Sequence, residues 1–154
     1  MAQCSWNQRW QCVVTNVALD TSARVLVVED TNMMRVLMLR HLKQAGFTEV
    51  ADVGDGQQAL DYLANHPVDL ILLDINMPVM DGYTTLERLK ADPALREIAV
   101  IMITSVDSIE SVARCIEMGA DDYMPKLFNP ILLNARMATC LELRNLRRRV
   151  AAQG

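Results

Sequence analysis

The chain has 154 residues, 51% of them hydrophobic. That is enough for one domain with a real core and too apolar for general disorder. With 15 basic and 19 acidic residues the net charge is −4, which gives no case for general binding to nucleic acid or a membrane surface, and no apolar run approaches the length of a membrane span.

Met1 to Thr21 lacks the basic start and long apolar core of a secretory signal. Cys4, Cys12, Cys115 and Cys140 are scattered, with no C-x-x-C pair. This usage fits a reduced, cytoplasmic protein with neither a zinc site nor a disulfide framework. Residues 1–22 show no clear period and read as a flexible or loosely docked leader, although Trp6 and Trp10 stand four apart.

Arg24 to Val28 is a first buried strand, ending at once in Glu29-Asp30. Two adjacent carboxylates repel each other unless solvent or a cation relieves them. The spacing predicts a helix from about Asn32 to Ala45, with Met34, Leu37, Met38, Leu42 and Ala45 inward and Gly46 as a left-handed stop. Glu49 to Val53 is a second strand. Gly54-Asp55-Gly56 turns into a helix with Ala59, Leu60 and Leu63 inward, closed before Pro67. The segment Val68 to Pro78 then carries a short apolar run, Leu70 to Leu73 and Ile75, around the carboxylate of Asp74. It reads as a strand buried on both faces, stopped by Pro78 and Asp81-Gly82.

A short helix follows from Tyr83 to Lys90. The fourth strand, Ile98 to Ile103, ends in Thr104-Ser105. A helix from Ser108 to Met118 is expected to turn Ile109, Val112, Ala113 and Ile116 inward, with Gly119 as its stop. Asp122-Tyr123-Met124 is a short fifth strand, ending in Pro125-Lys126. Pro130 opens a last helix, to about Arg149, at a position where its missing N–H is harmless. Strands and helices thus alternate five times. Right-handed crossovers give an α/β fold, a five-stranded parallel sheet with helices on both faces. Strand order is not fixed by periodicity.

In a parallel sheet every strand's carboxyl end lies on one edge, where open α/β sheets bind ligands. Glu29, Asp30, Asp74, Thr104, Tyr123 and Lys126 are all found there. Taken singly, Lys126 reads as a solvated charge, Thr104 as a helix cap and Tyr123 as half-buried core. Taken together, carboxylates, a hydroxyl and an ammonium on one edge suit a hard divalent cation such as Mg²⁺ and transfer of a phosphoryl group.

The residues Val25-Leu26-Val27-Val28-Glu29-Asp30, Leu70-Ile71-Leu72-Leu73-Asp74-Ile75-Asn76-Met77-Pro78-Val79-Met80-Asp81-Gly82, Ile101-Met102-Ile103-Thr104-Ser105 and Gly119-Ala120-Asp121-Asp122-Tyr123-Met124-Pro125-Lys126 resemble, in order and spacing, a response-regulator receiver domain, the phosphoacceptor module of two-component signalling. The match runs from about Arg24 to Leu143. The resemblance implies a doubly wound, flavodoxin-like (βα)5 fold with strand order 2-1-3-4-5. It implies Asp74 as the phosphoacceptor, with Mg²⁺ held by Glu29, Asp30, Asp74 and the backbone carbonyl of Asn76. It makes Thr104 and Tyr123 the residues that follow the phosphoryl group and Lys126 its ion-pair partner. Asn76 and Val106 would tune water access to the phosphoryl group. The implied donor is a histidine kinase or phosphotransfer protein. The implied output is a partner or an output domain, controlled through the face made by the fourth helix, fifth strand and fifth helix.

The sequence departs from the family at Leu127, where a proline usually follows the lysine, often with a cis bond. A cis bond costs roughly 2.5–4 kcal/mol before a non-proline and about 0.5–1 before proline. Trans is therefore favoured here, and the Lys126 loop is expected to be repositioned or more mobile.

The domain reading is a leader at 1–22, a receiver at 23–143 and a helical extension at 144–154. Along that extension Thr139, Leu143, Leu146 and Val150 follow a 4-3-4 spacing, a possible start of a coiled coil, and a homodimer through this helix or through the helix 4–strand 5–helix 5 face is open to it. Direct contact with nucleic acid or membrane is not expected. A phosphatase of the haloacid-dehalogenase type would need a second carboxylate where Asn76 stands, and a nucleotide-binding domain wants a glycine-rich turn that Glu29-Asp30-Thr31-Asn32 does not offer. The chain reads as a signalling domain rather than an enzyme in the ordinary sense. The remaining alternative is a degenerate receiver that serves only as an interaction module.

Overall fold

The computed structural model describes residues 19–105, 109–126 and 129–153. Its elements alternate in the expected order: β1 (Val25–Val28), α1 (Asn32–Ala45), β2 (Val50–Val53), α2 (Gly56–Leu63), β3 (Leu70–Asp74), α3 (Gly82–Ala91), β4 (Ala99–Thr104), α4 (Ile109–Glu117), β5 (Asp122–Pro125) and α5 (Pro130–Gln153). All strands are parallel, in the order β2-β1-β3-β4-β5. This is the doubly wound, flavodoxin-like arrangement that the resemblance implied. The leader falls almost wholly outside the described residues.

The two faces of the sheet follow from strand alternation. Val25, Val27, Leu70, Leu72, Ile101 and Ile103 point to one side, where Met38 and Leu42 of α1 and Leu133, Met137 and Leu141 of α5 cover them. Leu26, Val28, Ile71, Leu73, Val100 and Met102 point to the other, under Ala59 and Leu63 of α2, Leu86 and Leu89 of α3, and Cys115 of α4. The three central strands are buried along their whole length, which explains why their sequences run apolar instead of alternating. Gly46 closes α1 at φ 106°, as expected, and its amide reaches back to the helix carbonyls.

Two helices sit rolled from the faces that periodicity suggested. On α4, Ile109 is 87% exposed and Ile116 also faces out, while Cys115 is fully buried. Val112 is half-buried and Ala113 exposed. The sequence 109–118 offers two apolar stripes about a third of a turn apart. Docking selects the one through Val112, Cys115 and Met118, leaving the isoleucines on the surface. On α1, Leu37 is exposed with Met33 and Val36, although it shares spacing with the buried Met38 and Leu42.

The amino edge of the sheet is closed by ion pairs. Asp69, just before β3, accepts the Arg24 amide at 2.8 Å and the Arg24 guanidinium at 3.1 Å. Buried Arg144 of α5 donates to the same carboxylate at 2.9 Å and to the Glu97 carbonyl at 3.1 Å. Burial alone would raise the Asp69 pKa, but the two guanidiniums hold it below the usual carboxylate range. Asp121 repeats the pattern: it accepts the Val100 amide at 2.8 Å and pairs with Arg147 at 3.2 Å. Replacing Arg144 with alanine leaves Asp69 only Arg24 as a counter-charge. Arg144→Ala should lower the unfolding free energy by about 1–3 kcal/mol, read from the urea midpoint at unchanged slope.

Candidate functional site

Register alone brings the site together. Val28 lies beside Leu73 in the β1–β3 pair, so the next residues, Glu29 and Asp74, emerge side by side. Asp74 lies beside Ile103, which places Thr104 one step on. Thr104 lies beside Pro125, and the amide of Lys126 donates to the Thr104 carbonyl at 2.9 Å. The sheet reverses its winding between β1 and β3, so Glu29 and Asp74 flank the crevice of the topological switch point.

Asp74 is 1% exposed. Its Oδ2 lies 3.1 Å from the Lys126 ammonium, a buried ion pair. The same ammonium donates to Oε1 of the fully buried Glu29 at 3.2 Å, and Oε1 also takes the Thr31 amide at 3.2 Å. Carboxylate oxygens of Glu29, Asp30 and Asp74 lie within 4.8 Å of one another, with Asp30 exposed. Glu29 Oε2 is buried without a hydrogen-bond donor among the described residues. Buried orphan acceptors of this kind are destabilising unless a cation or donor meets them.

The electrostatics follow from this shortage of positive charge. Burial pushes the Asp74 carboxyl up, the neighbouring Glu29 carboxylate pushes it further, and Lys126 and the Asn76 amide pull back only in part, so its pKa rises to about 7. Burial alone would lower Lys126, but Asp74 and Glu29 together raise it, so the ammonium stays charged.

Thr104 is fully buried at the end of β4, and Tyr123 is half-buried on β5, packed against the α2–α4 side of the core. Asn76 is exposed in the loop after β3, its amide 3.4 Å from Asp74 Oδ1. Val106 and Leu127 lie outside the described residues. The Lys126 ammonium bridges both buried carboxylates, while the Lys126–Leu127 bond on which the expected repositioning or mobility of the loop turns lies outside the described residues.

Some contributions are not marked by residue pattern. Gly82 reads only as a turn in the sequence, yet a Cβ there would fall 2.3 Å from the Asp74 carbonyl oxygen. The Gly82 amide also donates to the Ile75 carbonyl at 2.8 Å. The start of α3 is thereby held against the end of β3, with Asp81 capping the helix through the Thr84 amide. Arg35 of α1 pairs with Asp52 of β2 at 3.1 Å and bonds Asn32 at 2.7 Å. It also reaches the Glu29 carbonyl at 3.5 Å and carries no periodic signal.

A parallel sheet of order β2-β1-β3-β4-β5 with buried carboxylates and a lysine at its switch point is the arrangement of a receiver-type signalling domain. The family model described as the response regulator receiver domain matches residues 25–138, and the chain belongs to that family. The response regulator PleD of Caulobacter vibrioides is 40% identical over 116 residues, 75% of this chain and 25% of PleD. A probable chemotaxis protein CheY of Rhizobium etli is 32% identical over 105 residues, 68% of this chain and 81% of that protein. Among solved structures, a CheY-like receiver domain protein of Methanospirillum hungatei superposes with a TM-score of 0.73 at 28% identity, covering 82% of this chain and 98% of that one. The chain spans about a quarter of the length of PleD and of a protein-glutamate methylesterase of Paramagnetospirillum magneticum.

The raised Asp74 ionisation has a sign that can be measured. Without divalent cations, Asp74 ionises near pH 7 in the fold, against 3.8 for the ordinary group. Between those values the native state keeps a proton that the unfolded state has lost, so stability falls as pH rises through that window. Asp74→Asn removes this effect. The variant should exceed the parent by about 1–3 kcal/mol at about pH 8, with the difference closing near pH 4. Urea titrations across that range check it; equal stabilities at the alkaline end would contradict the shift.

Proposed function

We propose that this receiver domain accepts a phosphoryl group on Asp74 and uses it as a switch. The observation that carries the reading is the pair of buried carboxylates, Glu29 and Asp74, that share the single Lys126 ammonium, with Glu29 Oε2 left without a hydrogen-bond donor. A purely structural ion pair would match its charges; two buried carboxylates on one ammonium leave room for a further cation and a phosphoryl group.

The donor set is all oxygen, which suits Mg²⁺. Glu29, Asp30, Asp74 and the backbone carbonyl of Asn76 would hold it. Magnesium bound there supplies positive charge against the phosphoryl oxygens and favours the ionised form of Asp74. An Asp74 carboxylate oxygen then forms the new bond to phosphorus while the bond from phosphorus to the donor breaks, and the electron pair leaves with the donor. Lys126 exchanges its contact with Asp74 for one with a phosphoryl oxygen. The Thr104 hydroxyl offers another oxygen a hydrogen bond, and Tyr123 moves with it. The donor is a histidine kinase or phosphotransfer protein, docking on the exposed apolar face of α1 (Met33, Val36, Leu37), which starts beside the acidic cluster. Output runs through α4, β5 and α5, where Ile109 and Ile116 stand outward for a partner or output domain. Residues 23–143 form the receiver and 144–154 a helical extension. No helix among the described residues is long and apolar enough to cross a membrane, and the reading places the domain in the cytoplasm as a signalling module.

Incubation with acetyl phosphate and Mg²⁺ should add the mass of one phosphoryl group, absent in Asp74→Asn and without the metal. Lys126→Met should take up the group at least about tenfold more slowly. An unchanged mass in the parent protein would leave a phosphorylation-independent interaction module as the better reading.

A further inference from the structure

We propose that the groove at the amino edge of the sheet, opposite the Asp74 edge, binds a small phosphate monoester with an apolar body, held by Arg24, Arg144 and Arg148. The proposal does not depend on Asp74 chemistry. The groove has a volume of about 560 Å³, within the range of small-molecule sites. Its walls are the end of α2 with the segment leading into β3, the connection from α3 to β4, and the last turns of α5.

Charge selects the ligand. Three guanidiniums gather here around one carboxylate, Asp69. Arg24 gives Asp69 its Nε and Nη2. Arg144 gives Asp69 its Nη1 and the Glu97 carbonyl its Nε, and its Nη2 makes no hydrogen bond among the described residues. Arg148 stands one turn further along α5, exposed, and makes no ion pair among the described residues. Burial lowers the Arg144 pKa, the Arg148 guanidinium lowers it further, and Asp69 offsets this only in part. Like charges one helical turn apart are unfavourable unless an anion meets them. The other acidic groups around the groove act elsewhere. Glu97 lies on its rim, where its field reaches Lys90. Glu49 acts on Arg24 from the neighbouring side, and Asp20 is turned onto Ser22.

The chemistry of the ligand follows from the donors and the walls. Guanidiniums meet phosphate oxygens with paired N–H donors. Three of them against one carboxylate leave an excess that suits the nearly double negative charge of a phosphate monoester at neutral pH. Leu63, Pro67, Leu95 and Ile98 line the same groove, beside His66 stacked on Tyr62 with 4.1 Å between ring centroids. A ring or short alkyl body covers these side chains while its phosphate meets the guanidiniums. Bare phosphate leaves them wet.

Calorimetric titration of the full chain with phenyl phosphate, in metal-free buffer, tests this. One site per chain is expected, weakening as salt rises, with inorganic phosphate bound at least about tenfold more weakly. Arg148→Ala should raise the phenyl phosphate dissociation constant at least about tenfold with circular dichroism unchanged. Glu97→Gln should tighten binding. Leu95→Asn should remove the preference for phenyl phosphate over inorganic phosphate, and His66→Ser is the second variant should Leu95→Asn fold poorly. Asp74→Asn should leave binding unchanged, which separates this site from the opposite edge. Four results overturn the proposal: no binding heat at any concentration; binding that Arg148→Ala leaves unchanged; binding lost in Asp74→Asn; or inorganic phosphate bound as tightly as phenyl phosphate, the mark of an adventitious ion only.

Discussion

One ammonium between two buried carboxylates holds the carboxyl edge of the sheet together. Lys126 reaches Glu29 at 3.2 Å and Asp74 at 3.1 Å, joining the ends of β1, β3 and β5 across the crevice. A single positive charge cannot neutralise two carboxylates, and the deficit appears as a raised Asp74 pKa and as a Glu29 oxygen without a donor. In a low-dielectric site that imbalance is a standing demand for more positive charge. The ammonium keeps the demand small enough for the fold to survive it.

The two edges of the sheet solve the same electrostatic problem in opposite ways. At the amino edge Asp69 meets two guanidiniums and a backbone amide, and Asp121 meets an amide and Arg147. Those carboxylates are satisfied and hold α5 to the strands. At the carboxyl edge Glu29 and Asp74 are left short of partners although both are almost wholly buried. Parallel strands make this division natural, because all strand starts gather at one edge and all strand ends at the other. Stability can then be concentrated at one rim while the other stays reactive.

The helices on either face are placed by packing, and their outward faces are what a partner meets. α1 leaves Met33, Val36 and Leu37 exposed beside the acidic cluster, and α4 leaves Ile109 and Ile116 exposed farther round the rim. α5 buries one stripe completely and carries a second along its outer side. The chain spends more apolar residues on its helices than its own core uses.

The order of elements, the buried strands and the set of residues on the reactive edge were legible in the sequence, because apolar runs, helix stops and strand-end carboxylates are local signals. Asp74, Glu29, Thr104 and Lys126 could be gathered from topology alone, since parallel strands put their carboxyl ends together whatever the side chains do. Local pattern could not decide which of two apolar stripes α4 would bury, because Ile109 and Ile116 fit helical spacing as well as Cys115 does. It could not say that Lys126 would contact Glu29 as well as Asp74, or that Gly82 must lack a Cβ to lie against the Asp74 carbonyl. Those outcomes depend on distances between segments far apart in the chain, set only when the sheet and helices dock, and a sequence pattern carries no distance.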